Sequence, residues 1–471
     1  MITVRQDPGF ATGLGRIIVA TSFGFVVTQL DVTIVNVALP RIASDLAVHV
    51  AGLQWIVDAY TLPFAVLMLS AGVLGDHFGS RRAYITGLVI FGAASLACGL
   101  APNVTTLIAS RAGQGAGAAL LIPSSLSLLN HAAANDHGVR ARSVGLWTAS
   151  GGVAIALGPV VGGLLLSIIG WRSIFLVNLP LCVIGGALTL RAIPPTAPET
   201  KTHRLDLPGQ LLAIVALAGL TCSVIEFRPL GFLHPLVIAG AGIAIAAGIA
   251  FYVVEMKAIE PMLPFSLFNL PNFTPAVIFG TLMNLTYYGT IFVLSLYLQQ
   301  ARGYSALHAG LAYLPLTATF IFSNVASGMV GARTGPRPPM IAGALLTAIG
   351  YAFLSRVGAT TSYLAMLLPF IVIPTGMGFA IPAMTATVLS TVDRRRAGTA
   401  SAVVNASRQT GGMIGVAIFG AMTGNAPGQI VRGLQLTSLT SLGLLLIAMM
   451  LACKYIRRVH DIAADTVCDS R

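Results

Sequence analysis

Four charged side chains, Asp31, Asp58, Arg111 and Arg408, stand inside stretches of chain that are otherwise strongly apolar. A charge in hydrocarbon is costly and is retained where it does something. On helices rising about 1.5 Å per residue, Asp31, Asp58 and Arg111 fall at similar depth in one half of a roughly 30 Å layer, which predicts a shared polar cavity. The chemistry open to such a carboxylate is to take up and release a proton, because burial disfavours its ionised form and a nearby cation restores it. The alternative is a static Asp31–Arg111 pair that fixes helix register. Trp55 lies three residues before Asp58, on the same helix face. An aromatic beside a carboxylate suits a lipophilic cation; equally, an indole at this depth anchors a helix at the headgroups. Arg408 lies near the middle of its stretch with Asn405 and Gln409 beside it and no acid in its own half, so its partner is backbone, water or a bound solute. Glu226, next but one to Arg228, predicts an interfacial pair.

The elements that position these charges follow from composition. Of 471 residues, 56% are hydrophobic and 9% charged, and the mean hydropathy is +0.85. Soluble domains carry about 25% charged residues, so this chain belongs in a bilayer. Apolar stretches near 20 residues long recur about 14 times, the first over about 17–39 and the last over about 434–453. The net charge of +12 does not imply nucleic acid. About 19 basic residues fall on one side of the spans and about 6 on the other. The richer side holds Arg5, Arg16, Arg81, Arg82, Arg140, Arg142, Arg394, Arg395, Arg396, Lys454, Arg457 and Arg458. It is therefore the cytoplasmic side, both termini lie there, and the expected location is the inner membrane. The first span reads as a retained anchor, since no small-residue cleavage signal follows Arg16. The five cysteines show no CxxC spacing, and no metal-ligand set, nucleophile–base set or other catalytic cluster is evident, so an enzyme is not expected.

An internal echo divides the chain. Gly72-Val-Leu-Gly75-Asp76-His77-Phe-Gly79-Ser-Arg81-Arg82 follows span 2; 256 positions on, Gly328-Met-Val-Gly331-Ala332-Arg333-Thr-Gly335-Pro-Arg337 follows span 10 with Ala332 in place of the acid. The segment reads either as a latch between halves or as an ordinary basic turn. Span 5 carries Gly158, Pro159, Gly162 and Gly163, which permit close helix contact and weaken the helix locally. The expected division is 1–192, a linker with inserted spans 7 and 8 over 193–260, 261–456, and a tail over 457–471. Pro194, Pro195 and Pro198 mark the linker.

These segments resemble the fourteen-span drug:proton antiporters of the major facilitator superfamily. Leu30-Asp31-Val-Thr33-Ile-Val-Asn36-Val-Ala-Leu39-Pro40 is similar to the signature closing their first span. Gly72 to Arg82 resembles the loop motif, Arg111-Ala-Gly-Gln114-Gly115 the span-4 motif, and Gly158-Pro159-Val-Val-Gly162-Gly163 the antiporter motif. Trp171-Arg172-Ser-Ile-Phe175-Leu-Val-Asn178-Leu-Pro180 and Leu296-Tyr297-Leu-Gln299 extend the match over the whole chain.

The resemblance implies an all-α polytopic fold of two six-helix bundles plus two helices, alternating access, and proton handling by Asp31 and Arg111. It places Asp58, Trp55, Tyr60, Asn36, Gln114 and Arg408 in substrate binding, with Gly72, Asp76, Gly79, Arg81 and Arg82 as a latch. The implied function is proton-coupled efflux of small hydrophobic, often cationic compounds, powered by the proton gradient without a cofactor. Its partners would be lipid, substrate and protons, not nucleic acid, with the chain a monomer. Export of an endogenous metabolite, amino acid or lipid is the alternative, and a non-transporting sensor a remote one.

Overall fold

The computed structural model describes residues 8–132, 137–195, 205–393 and 396–456, without the side chains of 8–12, 76, 137, 138, 141 and 332. Of the segments singled out above, Arg5, Arg394, Arg395, Arg457, Arg458, Pro198 and the side chains of Asp76 and Ala332 lie outside the described residues.

Fourteen long helices make up the described chain, since in hydrocarbon every backbone N–H and C=O must be satisfied within its own segment. They are α1 Pro8–Asp45, α2 Val50–Phe78, α3 Ser80–Gly99, α4 Val104–Ala132 and α5 His137–Ile168. Next come α6 (Ser173–Leu176 continued by Asn178–Ala192), α7 Leu207–Leu230 and α8 Pro235–Lys257. α9 is Phe273–Leu296, closed by a π turn over Tyr297–Ala301, and α10 is built from Ala306–Ala312 and Leu314–Thr334. α11 Arg337–Leu354, α12 Tyr363–Thr391, α13 Ala397–Ala421 and α14 Pro427–Tyr455 complete the set. Thirteen of them are long and apolar enough to cross a membrane. The exception is α13, which is 25 residues long but carries Ser401, Asn405, Arg408 and Gly412 along one face.

α1–α6 pack together, as do α9–α14, and the same pairings recur in both groups: α1 on α5 and α9 on α13, α3 on α4 and α11 on α12. The echo seen in the sequence is an echo in geometry. Gly79 at φ 86° turns α2 into α3, and Gly335 at φ 79° turns α10 into α11, a left-handed conformation that a Cβ would strain. Two residues further on, Arg81 donates to the carbonyl of Leu190 at the end of α6 (2.9 Å), and Arg337 donates to that of Cys453 at the end of α14. Within each bundle this arginine ties the start of the third helix to the end of the sixth. α7 and α8 lie against each other, so close that a Cβ on Gly219 would stand 2.8 Å from the carbonyl oxygen of Gly240. α7 also touches α2 and α13, while α8 exposes Ile238, Ile243, Ile245 and Ile249, the surface a lipid-facing helix has.

The two bundles meet at the end where α1 joins α2. There Gln54 of α2 donates to the carbonyls of Val416 (3.0 Å) and Ala417 (2.6 Å) on α13, and Val50 N–H donates to Asn425 Oδ1 (3.2 Å). Gln299 donates to the Val37 carbonyl (2.9 Å), and Ser295 to that of Asn36. α5 meets α10 at the same end, where a Cβ on Gly163 would lie 2.7 Å from both Ala306 O and Leu307 Cα. Among the described residues, no hydrogen bond joins the two bundles at the opposite end. Among the described residues, Gly72 of α2, Gly145 of α5, Gly331 of α10 and Gly398 of α13 have no neighbouring atom within 4 Å of where a Cβ would stand. A cleft of about 470 Å³ lies there, walled by Leu69, Ser70 and Val73 of α2, by Asp206 and the segment 260–267, and by Arg396 and Thr399 at the start of α13.

Candidate functional site

Asp31 is fully buried inside the first bundle and ion-paired with Arg111, itself 1% exposed. Arg111 Nη1 donates to Asp31 Oδ2 and to Gln114 Oε1 (2.8 Å), and its Nε donates to the Ile56 carbonyl (3.1 Å). The second carboxylate oxygen accepts from Asn178 Nδ2 (3.0 Å) and Gln114 Nε2 (3.2 Å). Ser95 Oγ accepts from Gln114 (2.7 Å) and Asn178 (3.4 Å), and the Cys98 thiol donates to Gln114 Oε1 (3.3 Å). The Tyr60 ring lies under the guanidinium, 4.4 Å from Cζ to the ring centroid. Five helices thus converge on one carboxylate. A charge pair so enclosed is tolerable only with this density of hydrogen bonds, since separation from water costs several kcal/mol per ion.

The central cavity lies on the other side of α1. It holds about 130 Å³ and is lined from α1 by Gln29, Val32, Thr33, Asn36 and Val37. α5 contributes Ile155 and Pro159; α9 contributes Tyr287, Tyr288 and Ile291; α10 adds Tyr313, Leu316, Thr317 and Phe320, and α13 adds Arg408. At 100° per residue Asp31 is turned about 200° from Gln29, so one helix presents the carboxylate to its own bundle and an amide to the cavity. A wider cleft, about 800 Å³, is a surface depression of the closed end near Arg41 and Trp171, separate from both sites.

The structure therefore separates residues that depth alone had grouped. The expected common cavity for Asp31, Asp58 and Arg111 does not form. Asp58 is 1% exposed and both its carboxylate oxygens lack a hydrogen-bond partner among the described residues. It sits about 200° around α2 from Tyr60, which faces Arg111, and shares a face with Gln54 and Trp55, which bond α13 and α7. Trp55 Nε1 donates to Glu226 Oε1 (3.0 Å). The expected Glu226–Arg228 pair is thus replaced by a tie between α2 and α7, and Arg228 instead donates to the Ala421 carbonyl (2.8 Å). Neither Trp55, Asp58, Tyr60 nor Gln114 lines the central cavity; Asn36 and Arg408 do.

Gly158, Gly162 and Gly163 occupy the α5 face that meets α1 and α10. A Cβ on Gly162 would lie 2.7 Å from Ile34 Cγ1, and the Pro159 backbone is in contact with Gly310. In the loop motif, Gly79 supplies the turn, Arg81 bonds α6 of its own bundle, Arg82 is exposed, and Gly72 stands clear of other helices. Sequence reasoning did not single out Ser95 or Cys98 beside Asp31, nor the cavity residues Gln29, Tyr287, Tyr288, Tyr313 and Thr317. The adjacent tyrosines, with Thr281 and Asn284 at helical spacing before Tyr288, were the available signal for a polar face on α9.

Comparisons agree with this architecture. The family model described as "Major Facilitator Superfamily" matches residues 21–416. The chain is 40% identical over 403 residues to a "Methylenomycin A resistance protein" of Streptomyces coelicolor, covering 86% of this chain and 84% of the relative. It is 36% identical over 406 residues to the "Multidrug resistance protein Stp" of Mycobacterium tuberculosis, covering 86% and 75%. It is 35% identical over 427 residues to the "Cephamycin export protein CmcT" of Amycolatopsis lactamdurans, covering 88% and 86%. Twelve long helices in two matching bundles with a further pair beside them, a central cavity between the bundles and a family match over residues 21–416 lead to one assignment: the chain is a multi-pass membrane protein of the major facilitator superfamily.

Proposed function

We propose that the chain exports small hydrophobic compounds of the antibiotic and drug kind in exchange for protons, by alternating access of the central cavity. The observation that carries this reading is the arrangement on α1. A buried, ion-paired carboxylate on one face and the cavity wall on the other make the same helix responsive to a proton and to a solute. Relatives named for antibiotic resistance and export supply the substrate class. A cavity of about 130 Å³ is below the roughly 300–1,000 Å³ that drug-sized ligands occupy, so loading a larger compound requires the bundles to part further.

The basic side of the spans, taken as cytoplasmic, is the end away from the cross-bundle hydrogen bonds, and the interlocked end faces outward. In this orientation the cavity would be loaded from the cytoplasm when the bundles part at that end. A proton arriving at Asp31 would weaken its hold on Arg111, free Arg111 to reorganise, and change how α1 and α4 pack. The expected attraction for lipophilic cations at Trp55 and Asp58 gains no support from cavity geometry, since neither side chain lines it.

The test is substrate counterflow in proteoliposomes under an imposed pH gradient, with wild type beside Asp31→Asn. Gradient-driven accumulation by wild type and its loss in the variant, with passive exchange retained, is the expected result. Undiminished gradient-driven transport by Asp31→Asn would sink the proton role.

A further inference from the structure

Arg408 is the one formal charge on the cavity wall, and among the described residues it makes neither an ion pair nor a hydrogen bond; its Nε is buried without a partner. Its stem packs on α9, where a Cβ on Gly280 would lie 3.6 Å from Arg408 Cγ. No acidic residue occurs between Glu260 and Asp393 or in the helices that follow, so the second bundle has no carboxylate within a helix to offset it. Asp31 is turned away and already bonded to Arg111, and Asp58 does not reach the cavity wall. The guanidinium stands in a region where charge is expensive and, among the described residues, has no protein anion to meet it.

The rest of the wall complements that charge. The hydroxyls of Tyr287 and Tyr288 bond no described residue, and the Gln29 amide, also without a partner, is on the facing helix. The cavity wall thus offers two phenol hydroxyls and an amide besides the guanidinium, groups that can donate to a bound anion. Beside them is an aromatic wall: Tyr287 and Phe320 stack with centroids 6.4 Å apart, and Tyr287 meets Tyr288 edge-on at 5.5 Å. The Tyr288 ring is held against Gly412, one turn along α13 from Arg408, where a Cβ would come to 3.0 Å. The wall thus combines one cation and several hydrogen-bonding groups with aromatic and aliphatic surface.

We infer that the central cavity takes a small amphiphilic acid, its carboxylate or other anionic group on Arg408 and its apolar body against Tyr287, Tyr288 and Phe320. A planar guanidinium fork matches a carboxylate, and the anion relieves a charge the empty site leaves uncompensated. The inference rests on the export reading for the direction of travel, and an inside-negative membrane potential favours outward movement of an anion.

Three compounds sharing one benzyl skeleton separate the possibilities: phenylacetate, its methyl ester and benzyltrimethylammonium. Displaceable binding of each, tritiated, is measured on the purified full-length chain at neutral pH for wild type, Arg408→Gln and Arg408→Lys. Phenylacetate is expected to bind wild type about ten-fold or more tighter than the ester, with the preference lost in Arg408→Gln and partly restored in Arg408→Lys. Equal binding of acid and ester, preference for the cation, absence of phenylacetate binding, or an acid preference that survives Arg408→Gln each overturns the inference. If Arg408→Gln does not fold, the wild-type acid–ester comparison and Arg408→Lys still decide. Proton-driven export of the ester or the cation without acid binding leaves the export reading standing and removes this one. Arg408-dependent acid binding without any counterflow removes the export reading and leaves the site.

Discussion

Gln29 and Asp31, two residues apart on α1, face opposite ways: the amide lines the cavity between the bundles, and the carboxylate is bonded to Arg111 inside its own bundle. Any rotation or shift of α1 that accompanies a change in the Asp31–Arg111 pair therefore moves the cavity wall as well. Proton site and solute site need not touch to be linked. They share one helix, through which a change at either can reach the other.

The pair itself predicts a stability pattern. Asp31→Ala leaves Arg111 buried without a counter-charge and should cost about 3–5 kcal/mol. Arg111→Gln should cost a similar amount, leaving the carboxylate with the Gln114 and Asn178 amides alone. The double variant Asp31→Ala, Arg111→Gln should be less destabilised than the sum of its singles, because no uncompensated charge remains. Thermal unfolding in detergent measures this; strict additivity would mean the pair is not coupled.

Closure at the α1–α2 end depends on the absence of side chains in α5 and α10. Gly163→Ala should disfavour the interlocked arrangement by about 1–3 kcal/mol, since its Cβ would strike backbone on α10 rather than a movable side chain. Spin-label distances across the α5–α10 contact should lengthen, and a population change of about ten-fold corresponds to about 1.4 kcal/mol. An unchanged distance distribution refutes the role.

Gln54 provides a second test of the same closure by a different interaction. Its amide makes both cross-bundle bonds to α13 carbonyls, each worth about 1 kcal/mol net. Gln54→Ala should raise the accessibility of a reporter cysteine placed at Ala417, read as faster alkylation from the interlocked side. Fold stability should be nearly unchanged if the lost bonds act between bundles rather than within one.

Gly79 and Gly335 should respond alike. Both sit at positive φ in corresponding turns, so Gly79→Ala and Gly335→Ala should each cost about 1–2 kcal/mol in thermal stability. Arg81→Ala and Arg337→Ala should release α6 and α14 from their neighbours, detectable as faster hydrogen exchange near Leu190 and Cys453. A large effect in one bundle and none in the other would mean that the repeat is geometric only.

The sequence by itself determined the class of this protein: membrane-length apolar stretches leave no other solvent for the chain, and an echo 256 residues apart announces two like halves. It also singled out Asp31, Arg111 and Arg408, because a charge in hydrocarbon shows without knowledge of its neighbours. What depth could not supply was direction. Asp58 lies level with Asp31 yet turns to α7 and α13, and Trp55 turns with it to bond Glu226. Tyr60 and Gln114 support the ion pair instead of the cavity, while Gln29, Tyr287 and Tyr288, which carry no charge to betray them, form the wall. Which residues meet across a cavity depends on the rotation of each helix about its axis, and that is set only when small residues such as Gly163, Gly310 and Gly412 let particular faces come together.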